Sequence, residues 1–277
     1  PGRSDCSSVA TAVTPPEDPT PVGFEIAVAN ATFPRQGEGT IVRDGNRLIY
    51  FYSRYTVEGD DGACVVVYKV SNTDGDTWGE AVQVTPPDGH ARANIGAAVL
   101  SPGHILLSYF IGAVGSHNRT ASRVWSRSTD GGSSFSEERS LTDDSFSYMS
   151  GAHDRLRVLS NGRILITLHV GVQDKMRQHV HAGNHSGLCT MLFFSDTQGE
   201  SWQHSQNLLC VDEEPLGGHD SAGRDEGFLE SAFVELGTTP ELRGHLLLLG
   251  RTSTGWLAES RSSDYGSSWT APVLNKQ

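Results

Sequence analysis

No apolar run in this 277-residue chain approaches the roughly 20 residues that a membrane-crossing helix needs, so a soluble protein without a membrane span is expected. No Lys/Arg cluster stands out. The net charge is −12 and the pI near 5.3, which argues against a nucleic-acid partner and fits an acidic, solvated surface. No long amphipathic helix is visible either, which leaves strands and turns. No signal peptide is visible in a chain that opens at Pro1 rather than Met, so its true beginning is expected to lie upstream. Cysteine is scarce: Cys6, Cys64, Cys189 and Cys210. A hairpin would bring Cys189 and Cys210 together, but spacing alone does not pair them. Sequons at Asn30, Asn118 and Asn184 favour a secreted or extracytoplasmic location.

What the chain has is one eight-residue pattern, S-x-(D/T)-x-G-x-(S/T)-(W/F), four times. The copies are Ser71–Trp78, Ser128–Phe135, Ser195–Trp202 and Ser262–Trp269, and Thr replaces Asp in the first and third. Ser, Asp and Thr side chains bond nearby backbone N–H groups and hold a tight turn. The central Gly permits a positive φ, and the closing aromatic is expected to plug the space between neighbouring sheets. Such spacing signals an array of similar units. Strand-like runs precede every copy, among them Arg47–Arg54, Ile105–Phe110, Ile164–Val170 and His245–Gly250. Four-stranded antiparallel blades of an all-β propeller are therefore expected at about 40–86, 95–142, 154–210 and 228–275. Residues 1–22, rich in Pro, Ser and Thr, read as a flexible lead-in to a domain over 23–277. The turns themselves are expected to staple hairpins and touch no substrate. His179, His181 and His185 share a loop, where exposed polar residues are favoured over a metal site.

Together with Pro34-Arg35-Gln36-Gly37-Glu38-Gly39, His153-Asp154-Arg155, the Gly227–Leu236 strand and Leu249-Gly250-Arg251-Thr252, the repeats resemble the sialidase (neuraminidase) superfamily. Its turns are known as Asp-boxes, or bacterial neuraminidase repeats. The resemblance implies six blades, of which about four are present, and an exo-α-sialidase that needs no metal or organic cofactor. The implied partner is a sialylated glycan. Arg35 and Arg251 match the first two members of an arginine triad that grips the sialic-acid carboxylate, a task suited to the guanidinium fork. Asp60 or Asp61, with Asp61 preferred, matches the acid that protonates the departing oxygen; both also fit a turn. Glu230 matches the residue that activates a nucleophilic Tyr, the family's exception to the two-carboxylate scheme. Arg54, Arg92, Asp154 and Arg155 are secondary candidates for the pocket rim.

The resemblance places the third arginine and the nucleophile beyond Arg251, yet the chain given ends 26 residues later, at Gln277. Tyr55 and Tyr148 are possible substitutes, and a natural protein that continues past Gln277 is the favoured expectation. Two alternatives stay open: another exo-glycosidase or polysaccharide lyase on the same propeller, and a non-catalytic glycan-binding propeller.

Overall fold

The computed structural model describes residues 25–59, 62–114, 121–141, 148–171, 188–211, 227–237 and 239–276. Cys6, the lead-in over 1–22, Asp60, Asp61, Asn118, Asn184 and the three loop histidines lie outside them. Among the described residues every regular element is a strand. Blade 1 is β1 (Arg35–Asp44), β2 (Arg47–Tyr55), β3 (Cys64–Ser71) and β4 (Val82–Gln83), hydrogen-bonded in that order. Blade 2 is β5 (Ala91–Ser101), β6 (His104–Gly112), β7 (Ala121–Ser128) and β8 (Arg139–Ser140). Blade 3 comprises β9 (Tyr148–Ser150), β10 (Leu156–Val158), β11 (Ile164–Gly171), β12 (Leu188–Ser195) and β13 (Gln203–His204). Blade 4 is β14 (Phe228–Glu235), β15 (Leu246–Thr252), β16 (Leu257–Ser262) and β17 (Val273–Asn275).

Two features depart from the expected blade plan. The first blade starts at Arg35 rather than near residue 40, because β1 runs into the Pro34–Gly39 segment. The third has its inner strand split into β9 and β10, which pair with opposite ends of β11. Through β9, Tyr148 also reaches Ala121 of β7 in parallel, so blades 2 and 3 share one nine-stranded sheet.

Alternation along each strand sends one set of side chains to each neighbour. Ile49, Phe51, Val66 and Tyr68 of blade 1 meet Ile95, Ile105, Leu107 and Tyr109 of blade 2. Leu106 and Trp125 of blade 2 meet Leu156, Ile166, Leu168 and Phe193 of blade 3. Leu165, Leu192 and Phe194 of blade 3 meet Phe228, Leu246 and Leu248 of blade 4. Each such buried side chain contributes about 1.5–3 kcal/mol, so the seams carry the fold. On the far face of blade 4, Val234, Leu257 and Val273 are more than half exposed.

The four Asp-boxes close the same way. Ser71, Ser128, Ser195 and Ser262 each accept from the N–H groups two and four residues ahead, at 2.8–3.3 Å. Asp130 and Asp264 accept from the N–H and hydroxyl of Ser134 and Ser268. Thr73 and Thr197 use a single oxygen for the same task. Glycines 75, 132, 199 and 266 all have positive φ. Phe135, Trp202 and Trp269 pack into the seams behind their own blades, as expected of plugs. Trp78 instead meets Tyr50 edge-on, within blade 1. Arg47, Arg127 and Arg163, one from each preceding blade, donate to the carbonyls of Gly131, Gln198 and Tyr265.

Cys189 and Cys210 form a disulfide, with Cα atoms 4.7 Å apart. Cys64 is a buried free thiol that burial pushes up to about 12.

Candidate active site

The end of the blades opposite the boxes is built on irregular inner strands. Leu48 pairs with Ser71 at the box end, and Tyr55 with Cys64 at the other. Seven residues of strand at ~3.3 Å each put about 23 Å between the two ends. At the far end the ladder slips between Gly37 and Thr40, between Ala93 and Gly96, and between Leu229 and Ala232. In blade 3 the break between β9 and β10 is the counterpart. Each irregularity carries one polar, non-glycine residue in the left-handed region: Glu38 (φ 55°), Asn94 (55°), Asp154 (56°) and Glu230 (49°). L residues avoid this conformation, so surrounding structure must hold it.

The bulges are tied to one another. Asp154 N–H donates to the Ile95 carbonyl at 2.7 Å, and Asn94 Nδ2 to Ser150 Oγ at 3.0 Å. Thr40 Oγ1, two residues past Glu38, donates to Asp154 at 2.5 Å. Arg155 Nε donates to the Ser231 carbonyl at 3.0 Å. One end of all four blades therefore forms a continuous polar mouth.

Arg35 enters this mouth at the start of β1. It pairs with Glu38, and its guanidinium stacks over the Tyr55 ring at 4.6 Å. The Tyr55 hydroxyl donates to the other Glu38 oxygen at 2.8 Å. Burial, reinforced by the Glu38 charge, holds the Tyr55 phenol well above its usual value. Arg251 pairs with Glu230 at 3.2 Å, because Leu229 stands opposite Arg251 in the ladder. Its side chain is half exposed, since Gly250 and Thr252 take the inward positions. Arg251 thus lies on the blade 4 face turned away from blade 3.

Asp154 is held by Arg157 at 2.7 and 2.9 Å; although burial pushes its carboxyl up, these bonds and the one from Thr40 keep it below the usual range. Arg54 donates to Gln36 at 3.0 Å and stacks on Phe33 and Tyr52, on the blade 1 face away from blade 2. Arg92 is buried and gripped by Asp88 and Glu138, which makes it an internal ion pair and not a rim residue. Asp60 and Asp61 lie outside the described residues, but their loop leaves from the mouth end, closed at its base by Thr56 N–H to the Ala63 carbonyl at 2.9 Å. Tyr148 supplies backbone to β9. Glu38, Asn94 and Thr40 escaped the sequence reading. The one signal for them was a polar residue recurring early in each inner strand, in the segments Arg35–Gly39, Ala91–Gly96, His153–Leu156 and Phe228–Ser231.

Four-stranded blades stacked face to face, with Asp-boxes at one end, define a β-propeller. The chain belongs to the BNR repeat-like domain family, whose pattern matches residues 46–276. It is similar to the Hadza microbial sialidase Hz136, with a TM-score of 0.68 and 16% identity over 89% of this chain and 48% of that one. The Trypanosoma rangeli sialidase in complex with sialic acid gives 0.61 and 15%, over 85% and 37%. The intramolecular trans-sialidase from Ruminococcus gnavus, in complex with oseltamivir carboxylate, gives 0.63 and 11%, over 89% and 72%. No curated protein matches by sequence. The chain spans about half the length of the first of these structures, and at such identities the likeness concerns the fold alone.

Proposed function

We propose that this chain forms the sugar-binding part of an exo-α-sialidase, which releases terminal sialic acid from glycoconjugates with retention of configuration. The observation that carries the reading is the Glu230–Arg251 pair, set across the inner hairpin of blade 4 at the same end as Arg35. In this reading Arg35 and Arg251 bind the sugar carboxylate through charge-assisted hydrogen bonds. Glu38 and Glu230 orient the two guanidiniums before substrate arrives. Asp61, or Asp60, gives its proton to the departing glycosidic oxygen.

The anomeric carbon of sialic acid bears a carboxylate, which repels an attacking Asp or Glu. A tyrosine oxygen activated by Glu230 suits the attack better: it bonds to the anomeric carbon as the C–O bond to the leaving group breaks, and water later releases the sugar. Tyr55 is a poor candidate for that role, because its phenol is buried and hard to ionise. It serves here as the anchor of Glu38. Arg54 and Asp154 complete the surroundings as rim residues, and Arg155 stands behind them against the Ser231 carbonyl. The disulfide supports an oxidising, extracytoplasmic location, and among the described residues no helix is long and apolar enough to cross a membrane.

The test is release of a fluorophore from an aryl sialoside by the protein at its full natural length, across roughly pH 4 to 8. Release is expected, and its absence beside a working control enzyme overturns the reading. A second reading, a glycosidase for an uncharged sugar, draws support from the carboxylate already beside Arg35 and Arg251. It expects turnover of neutral aryl glycosides.

A further inference from the structure

The seam between blades 3 and 4 holds buried polar groups that the proposed reaction leaves unused. Thr167 on β11, Thr190 on β12 and Ser231 on β14 are 1%, 0% and 3% exposed. The Ser231 hydroxyl lies 2.6 Å from that of Thr167 and 3.1 Å from that of Thr190. Thr190 also donates to the Phe228 carbonyl at 2.9 Å. Arg155 spans the same seam. Its Nε donates to the Ser231 carbonyl, and one Nη reaches the His153 and Asp154 carbonyls at 3.0 and 3.5 Å. His169 Nδ1 accepts from the Glu230 N–H at 3.5 Å. The Glu230 amide, the next hydroxyl and the next carbonyl are thus all held from blade 3, while Glu230 itself sits at φ 49°.

A left-handed glutamate flanked by Leu229 and Ser231 has no local reason to hold that shape. Here the supports are tertiary. We propose that Arg155 and the Thr167–Thr190–Ser231 hydroxyl cluster are positioning residues that lock the Glu230 bulge, so that its carboxylate meets Arg251 and faces the reacting sugar. Arg155 acts through Glu230 and does not touch substrate: its Nε and Nη1 donate to main-chain carbonyls of blades 4 and 3. The inference rests on reading Glu230 as the group that activates the nucleophile.

The variants are Arg155→Met, Ser231→Ala and the near-isosteric Thr167→Val, each made alone and together with Glu230→Gln. Each single variant is expected to lower kcat on the aryl sialoside about tenfold to a hundredfold, with KM within about threefold. In the Glu230→Gln background the same changes should add almost nothing. Amide exchange across residues 228–233 should quicken, while that of β5 stays the same. A raised KM that persists alongside Glu230→Gln would make Arg155 a substrate contact and overturn the proposal. Unchanged exchange over 228–233 would overturn it whatever the activity. If the unaltered protein cleaves no sialoside, the functional reading falls, and the exchange data still decide whether these residues hold the bulge.

Discussion

At the box end of blade 4, Ser262 and Asp264 find their partners within four residues along the chain, and Tyr265 and Gly266 are both left-handed. At the mouth end of the same blade, Glu230 is also left-handed, but its supports come from residues 41 to 76 positions away in blade 3. The contrast recurs in blade 1, where Ser71 and Thr73 serve their own turn and Thr40 reaches 114 residues to Asp154. One end is a staple whose turn is closed by its own side chains and then clamped from the blade before, in blade 4 by Arg163, Gln206 and Asn207. The other exists only once several blades are assembled. Left-handed residues other than glycine occur at both ends, Asp74, Gln198 and Tyr265 in the boxes and Glu38, Asn94, Asp154 and Glu230 at the mouth; what sets the mouth apart is how many of its supports cross from one blade to another.

If the two ends divide the work in this way, variants should sort cleanly into loss of activity and loss of stability. The largest effect is expected from Arg251→Ala. Removing charge-assisted bonds at about 1.5–3 kcal/mol each should lower sialoside kcat/KM at least a hundredfold, with little change in Tm because the side chain is half exposed. Steady-state kinetics beside a melting curve would show both. Next comes the Cys189–Cys210 bond, which closes a loop of about 20 residues. Replacing both cysteines by serine should cost about 3 kcal/mol by denaturant titration.

Ser262→Ala strips the hydroxyl from a buried box and leaves the Gly266 N–H without its acceptor. A loss of about 1–3 kcal/mol is expected, with kcat and KM unchanged well below the melting point; a fall in kcat/KM in the folded protein would break the division. The smallest effect concerns acid. Hydrogen bonds from Ser134 hold Asp130 at about 2, and those from Ser268 keep Asp264 below the usual range even though burial pushes it up. Both folded values are depressed, so the stability these groups contribute is complete above the ordinary carboxylate range, near ~4. It fades as pH falls from there toward about 2. Asp130→Asn and Asp264→Asn together should flatten that part of the stability–pH profile, whereas Arg251→Ala should leave it as it is.

The same division governs what could be read in advance. The boxes are written in contiguous residues whose turn-forming side-chain hydrogen bonds stay within the motif, so Ser128 through Phe135 announces its own turn and implies the blades around it. Glu38, Asn94 and Thr40 lack such a signature, since their meaning comes from partners in other blades. Arg251 shows the limit from the other side: its motif marked it as a candidate, and only the strand's alternation, with Gly250 and Thr252 inward, gave the face on which it stands. The split of the third inner strand into β9 and β10 was equally hidden, because it depends on β9 leaning across to β7.

The most direct measurement compares binding of N-acetylneuraminic acid with that of its methyl ester by calorimetric titration of the full-length protein. If the mouth grips a carboxylate through Arg35 and Arg251, the free acid should bind and the ester should bind at least tenfold more weakly, with the difference lost in Arg251→Ala. Equal binding of acid and ester would contradict the account.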